Sequence, residues 1–145
     1  MNPFFAAALA EAEAAARRGE VPVGAVLVKD GILIARAGNR VAEGPDPTAH
    51  AEILALREGA VRLGERLDGC DLYVTLEPCP MCAAAIALSR IRRLYFAAYD
   101  PKGGGVEHGP RIFDHATCHH RPEVIGGIEE RRAAQLLKDF FKARR

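Results

Sequence analysis

Residues 71–99, DLYVTLEPCPMCAAAIALSRIRRLYFAAY, restrict the fold more than any other stretch of this sequence. Asp71–Pro78 reads as a strand closed by a proline, Cys79–Ile91 as an alanine-rich helix, and Arg93–Tyr99 as another strand. Upstream, VPVGAVLV (Val21–Val28) reads as a buried strand, Asp30-Gly31 as a hairpin turn and Ile32–Ala37 as the returning partner. Glu123–Gly127 adds a fifth, short strand. Helices are expected over Asn2–Arg18, with Pro3 tolerated in the first turn, and after Thr48 as an N-cap. A last helix, Glu129–Arg145, carries Ala133, Leu136, Leu137, Phe140 and Phe141 at helical spacing. A hairpin followed by strand–helix–strand alternation calls for an α/β fold: a three-layer α-β-α sandwich around a mixed five-stranded sheet. Nothing resembling a repeat or linker divides the chain, and 145 residues suit a single domain, 1–145.

The composition, 49% hydrophobic and 27% charged, is that of a soluble globular protein. A net charge of +1 excludes a strongly basic surface overall, although not a local basic patch. No apolar run approaches the roughly 20 residues of a membrane span. The N-terminal segment is apolar at first, but Glu11 and Glu13 interrupt it and no basic stretch precedes it, which argues against a secretory signal. Four cysteines in such a chain point to a reducing, cytoplasmic compartment and to metal binding or catalysis before disulfides.

Cys79 and Cys82 form C-P-M-C where the strand ends and the helix begins. Residues three apart share a helix face, and a helix N-terminus favours thiolate. Taken alone, the pair is equally a redox couple or a coincidence. His50 alters the balance: with the two sulfurs it makes three ligands, the number a catalytic zinc takes while keeping a position for water. Glu52 fits a proton shuttle beside that water. Residues two apart on a helix point about 200° apart, so His50 and Glu52 converge only if both lie on its first turn. Two thiolates also neutralise the charge of the metal and weaken it as an acid, which creates the need for a nearby carboxylate base.

His50-Ala51-Glu52 followed by Pro78-Cys79-Pro80-Met81-Cys82 is the known signature H-x-E…P-C-x-x-C of zinc-dependent nucleobase deaminases. With VPVGAVLV, AGNR, DPTAHAEI, LYVTLEPCPMC, SRI and DFFKARR, nearly the whole chain resembles the bacterial tRNA-specific adenosine deaminase family. The resemblance implies a cytidine deaminase-like fold and conversion of the wobble adenosine of a tRNA anticodon to inosine. It implies one zinc ion per chain on His50, Cys79 and Cys82, with Glu52 as proton carrier, hydroxide attack at C6 and release of ammonia. It implies substrate contacts from Asn39 and from the backbone around Ala51 and the Leu76–Pro78 turn. It also implies a homodimer that holds the anticodon stem-loop.

Asn39 reads nearly as well as a turn residue after the second strand. Candidate RNA contacts are Lys102, Arg121, Lys142, Arg144 and Arg145; Phe140 and Phe141 are spaced as core residues, with burial of at least one expected. The loop PKGGGVEHGP departs from the family at Val106, Glu107 and His108, and Arg131-Arg132 replaces its Glu-Cys. His115, His119 and His120 are expected to be loop or RNA-side residues, and Cys70 and Cys118 structural. The helix Ala83–Leu88 suits either its own sheet or a neighbouring subunit. A free-base or nucleoside deaminase of guanine or cytosine type is the alternative function; a zinc-stabilised subunit without activity is a third, which Glu52 disfavours.

Overall fold

The computed structural model describes residues 1–144; Arg145 lies outside them. Four helices and five strands follow the chain: α1 (Pro3–Arg17), β1 (Gly24–Lys29), β2 (Ile32–Gly38), α2 (Ala51–Leu63), β3 (Cys70–Leu76), α3 (Pro80–Leu88), β4 (Arg93–Ala98), β5 (Glu123–Gly126) and α4 (Glu130–Ala143), with a 3-10 turn at Ile112–Asp114. The sheet runs β2-β1-β3-β4-β5. β1 is antiparallel to β2 and β3, whereas β3, β4 and β5 are parallel. The expected mixed five-stranded sheet is the observed one.

Side-chain alternation on the strands builds two cores. Leu27, Leu72, Leu94 and Phe96 pack under α2 and α3 with Ala55, Ala83 and Ile86. Val26, Val28, Tyr73 and Ala97 pack under α1 and α4 with Phe5, Leu9 and Ala133. The second core is aromatic at its centre: Tyr73 stacks on Tyr95 at 4.4 Å, and Phe5 meets Tyr73 edge-on at 5.3 Å. α1 lies directly on β1 because Gly24 has no side chain; a Cβ there would overlap the Ala8 carbonyl. Among the described residues no helix is long and apolar enough to cross a membrane.

Three local expectations change. The first strand begins at Gly24, not Val21: Pro22 has no N–H for the ladder, and the Val23 N–H bonds to the Val21 carbonyl instead. Thr48 is not the N-cap of α2; its N–H and hydroxyl both donate to Asp46 Oδ1, at 2.9 and 2.7 Å, and His50 takes the cap position. α3 starts at Pro80, which leaves Cys79 as its N-cap. Of the tail phenylalanines Phe140 is buried and Phe141 exposed.

Candidate active site

Two helix starts face each other. His50 precedes α2 and Cys79 precedes α3, both with extended backbone and neither using its side chain as a cap. An N-cap side chain would normally accept a hydrogen bond from the first-turn N–H groups. Here Asn39 supplies one from outside the helix: its Oδ1 accepts from the Ala51 N–H at 2.8 Å. The imidazole is thereby left for other work. His50 Nδ1 lies 3.5 Å from both Cys79 Sγ and Cys82 Sγ. Among the described residues this is the one set of three potential metal ligands that converges, with ligand atoms within 4.8 Å of one another.

The donor chemistry fits zinc: one imidazole nitrogen, two sulfurs, and helix N-termini that stabilise thiolate. Within the metal-free cluster the two sulfurs share a hydrogen bond, and that bond first, with the Cys82 N–H and His50 adding to it, brings the Cys79 thiol down to about 5. The same bond and burial push the Cys82 thiol far up. A divalent cation held here would take both sulfurs as thiolates and so remove this conflict.

Glu52 stands on the first turn of α2, only 4% exposed. Burial, with the nearby Cys79 charge adding to it, raises its carboxyl to about 7. A carboxylate balanced at that point can accept a proton and return it, as a general acid–base must. His50, Glu52 and Cys79 border a cavity of ≈ 380 Å³, whose wall also includes Asn39, Leu76 and Val23. A larger apolar groove of ≈ 430 Å³ lies elsewhere, along Ala84, Leu88 and Ile112, with His115, His119 and His120 on its rim; none of the four residues of the candidate centre reaches it.

The other expected residues fall into two groups. Asn39 and Leu76 are in the cavity wall, and the Asn39 carboxamide nitrogen has no partner among the described residues. Ala51, Pro78 and Lys102 are not wall residues. The Ala51 N–H is taken by Asn39 and the Pro78 carbonyl accepts from the Gly105 N–H at 2.8 Å, so both brace the wall from behind. Lys102 is exposed between the wall residues Asp100 and Gly103. Arg121 pairs with Asp114 at 2.8 Å, and the Arg144 guanidinium covers the Phe140 ring at 3.5 Å. His115 and His120 bond backbone carbonyls, of Pro110 and Ile91.

Glu20 and Asp100 in the wall were not anticipated, and Glu77 was expected only as backbone of the Leu76–Pro78 turn. Glu20 is buried and accepts from the Ala42 and Glu43 N–H groups at 3.0 and 2.9 Å, fixing the loop that leads to His50. Glu77 is 2% exposed, and burial alone would raise its carboxyl; hydrogen bonds from Asp100, His108, Glu107 and Val106 outweigh that and hold it below the ordinary value. The available signal was a charged residue at the inner end of an otherwise apolar strand, LYVTLEP.

The family model of the cytidine and deoxycytidylate deaminase zinc-binding region matches residues 2–98. A tRNA-specific adenosine deaminase of Agrobacterium fabrum is 58% identical over 98% of this chain and 94% of its own length. This chain belongs to the tRNA-specific adenosine deaminase family. Its relative in Bacillus subtilis is 44% identical over 96% of this chain and 87% of that protein. A solved structure from work on A-to-I editing by tRNA:A34 deaminases at the wobble position superimposes with a TM-score of 0.92 at 58% identity, covering 94% of this chain and all of that one. A guanine deaminase from Nitrosomonas europaea shares the fold at greater distance, with a TM-score of 0.76 and 28% identity over 94% of this chain and 82% of its own.

Proposed function

We propose that this chain deaminates the wobble adenosine of a tRNA anticodon to inosine, consuming water and releasing ammonia, and that residues 1–145 work as one deaminase domain. The observation that carries the reading is a buried carboxylate, Glu52, beside the His50–Cys79–Cys82 cluster at the edge of a cavity. His50, Cys79 and Cys82 would hold one zinc ion per chain. Zinc supplies the Lewis acidity that lets water serve as a nucleophile near neutral pH. Glu52 takes one proton from the attacking water and passes it to the adenine ring nitrogen, then takes the second from the hydroxyl now on C6 and passes it to the departing amine, which leaves as ammonia while C6 becomes a carbonyl. Asn39 is held by its oxygen on Ala51, so its free N–H group donates to an acceptor on the base. Leu76 supplies apolar wall against the ring.

Several observations support the wider reading. The close relatives carry the name of a tRNA enzyme over nearly their whole length. A tRNA substrate places the work in the cytoplasm. The outward side of α3, with Leu88 81% exposed beside the apolar groove, suits a homodimer contact, while Ala83, Ile86 and Ala87 of the same helix pack on the sheet. A free-base activity is the second reading, favoured by the structural likeness to a guanine deaminase. Incubation with an anticodon stem-loop and with free guanine, cytosine and adenosine separates the two. Inosine at the wobble position without free-base turnover is expected; ammonia from free bases with an unedited stem-loop overturns the proposal.

A further inference from the structure

Glu77 follows β3, two residues before Cys79, yet the chemistry above assigns it no task. Its backbone N–H bonds the Ala98 carbonyl at 2.8 Å, which ties it to the end of β4. Both side-chain oxygens are spent on one loop. Oε1 accepts from the Asp100 N–H at 3.1 Å and from His108 Nδ1 at 2.7 Å. Oε2 accepts from three successive N–H groups, those of Val106, Glu107 and His108, at 3.2, 2.9 and 3.0 Å. Such a run of backbone donors makes an anion-binding concavity, filled here by the protein's own carboxylate. The glycines between the two ends are compelled by the same approach. A Cβ on Gly104 would overlap the Glu77 carboxylate, and one on Gly105 would stand 2.6 Å from Pro80 Cα. Asp100 and Gly103, at the near end of this loop, border the cavity beside Glu77 itself.

We propose that Glu77 and His108 form a clasp that seats the 100–108 loop as the outer wall of the cavity and so governs how tightly the RNA substrate is held, with no part in the proton transfers. The inference rests on the tRNA deaminase reading and adds two positioning residues to it. His108 is the discriminating member, because it lies outside the cavity wall and its loss leaves Glu77 four backbone donors. A purely structural role would lower stability and leave substrate affinity alone.

The test uses full-length zinc-loaded protein and an anticodon stem-loop. In single-turnover reactions His108→Ala is expected to raise the half-saturating RNA concentration about tenfold, the weight of one hydrogen bond to a charged group. The saturating rate and the zinc content stay those of wild type, and His108→Asn, whose amide can still donate to Glu77, restores the affinity. Amide hydrogen exchange at Glu107 and His108 should quicken in His108→Ala. An unchanged half-saturation, a loss confined to the saturating rate, or failure of His108→Asn to restore binding overturns the clasp. Absence of inosine from wild type overturns the function instead. The clasp is then read without turnover, by filter binding of the stem-loop to Glu52→Ala and Glu52→Ala/His108→Ala; equal affinities reject it.

Discussion

Glu52 is buried where a carboxylate ionises reluctantly, and that reluctance suits the proton-carrying role proposed for it. A residue kept only for stability would gain nothing from a carboxyl raised to about 7. Replacement by alanine should leave zinc bound, because the three ligands are untouched, and should cut the deamination rate about 1,000-fold, the usual weight of a positioned acid–base. Elemental analysis beside a single-turnover assay checks both halves, and activity within a few-fold of wild type would remove Glu52 from the mechanism. Cys79 offers a second measurement at the same scale. Its thiol is brought down to about 5 in the metal-free cluster, and thiolate is the reactive form. Alkylation of Cys79 in stripped protein should therefore rise through pH 5 and level off above about pH 6. Zinc should suppress it. A rate still climbing between about pH 7 and 9 would mark an ordinary thiol.

At two places elements meet at close range because a glycine stands between them. Gly24 lets α1 settle on β1, and Gly59 does the same for α2, where a Cβ would overlap Leu27. Gly24→Ala should push α1 off the sheet and cost about 1–3 kcal/mol, as overpacking of a filled core does. Denaturant unfolding measures the loss; a stability equal to wild type would show that the α1–β1 spacing is adjustable. α2 shows how an element can be shaped for chemistry. Its N-cap residue is a histidine that does no capping, and Asn39 from the end of β2 fills the gap. Asn39 thus follows a strand, caps the next helix from outside and lines the cavity.

At the scale of the whole molecule, the cavity is a product of the sheet's topology. The antiparallel pair β1 and β2 delivers Val23, which precedes β1, and Asn39, which follows β2, from one side, and parallel β3 and β4 deliver Leu76, Glu77 and Asp100 from the other. Zinc on His50, Cys79 and Cys82, at the starts of α2 and α3, would link these two halves. A chelator should accordingly lower the thermal midpoint, and restored zinc should recover it; a ligand at about 1,000 times its dissociation constant adds roughly 4 kcal/mol. Calorimetry of stripped and reloaded protein tests this, and an unchanged midpoint would mean that the cluster does not hold the metal in the folded chain.

The sequence by itself determined the layer order and the five strands, and it named the three potential metal ligands that the fold brings together, His50, Cys79 and Cys82. Hydrophobic periodicity and a short ligand motif are local properties, written within a turn or two of chain. It also pointed to Asn39 and Leu76, which the fold places in the wall of the cavity. Tertiary structure decided what depends on distant partners. Thr48 has a capping side chain, but Asp46 is nearer and takes it. Arg144 has the charge to meet RNA, but the face of Phe140 lies beneath it. Glu77 reads as one more residue of a pocket turn until the loop beginning 23 residues later at Asp100 folds back and fills both its oxygens. A hydrogen bond is satisfied by whichever group arrives within reach, and only the folded chain fixes which one does.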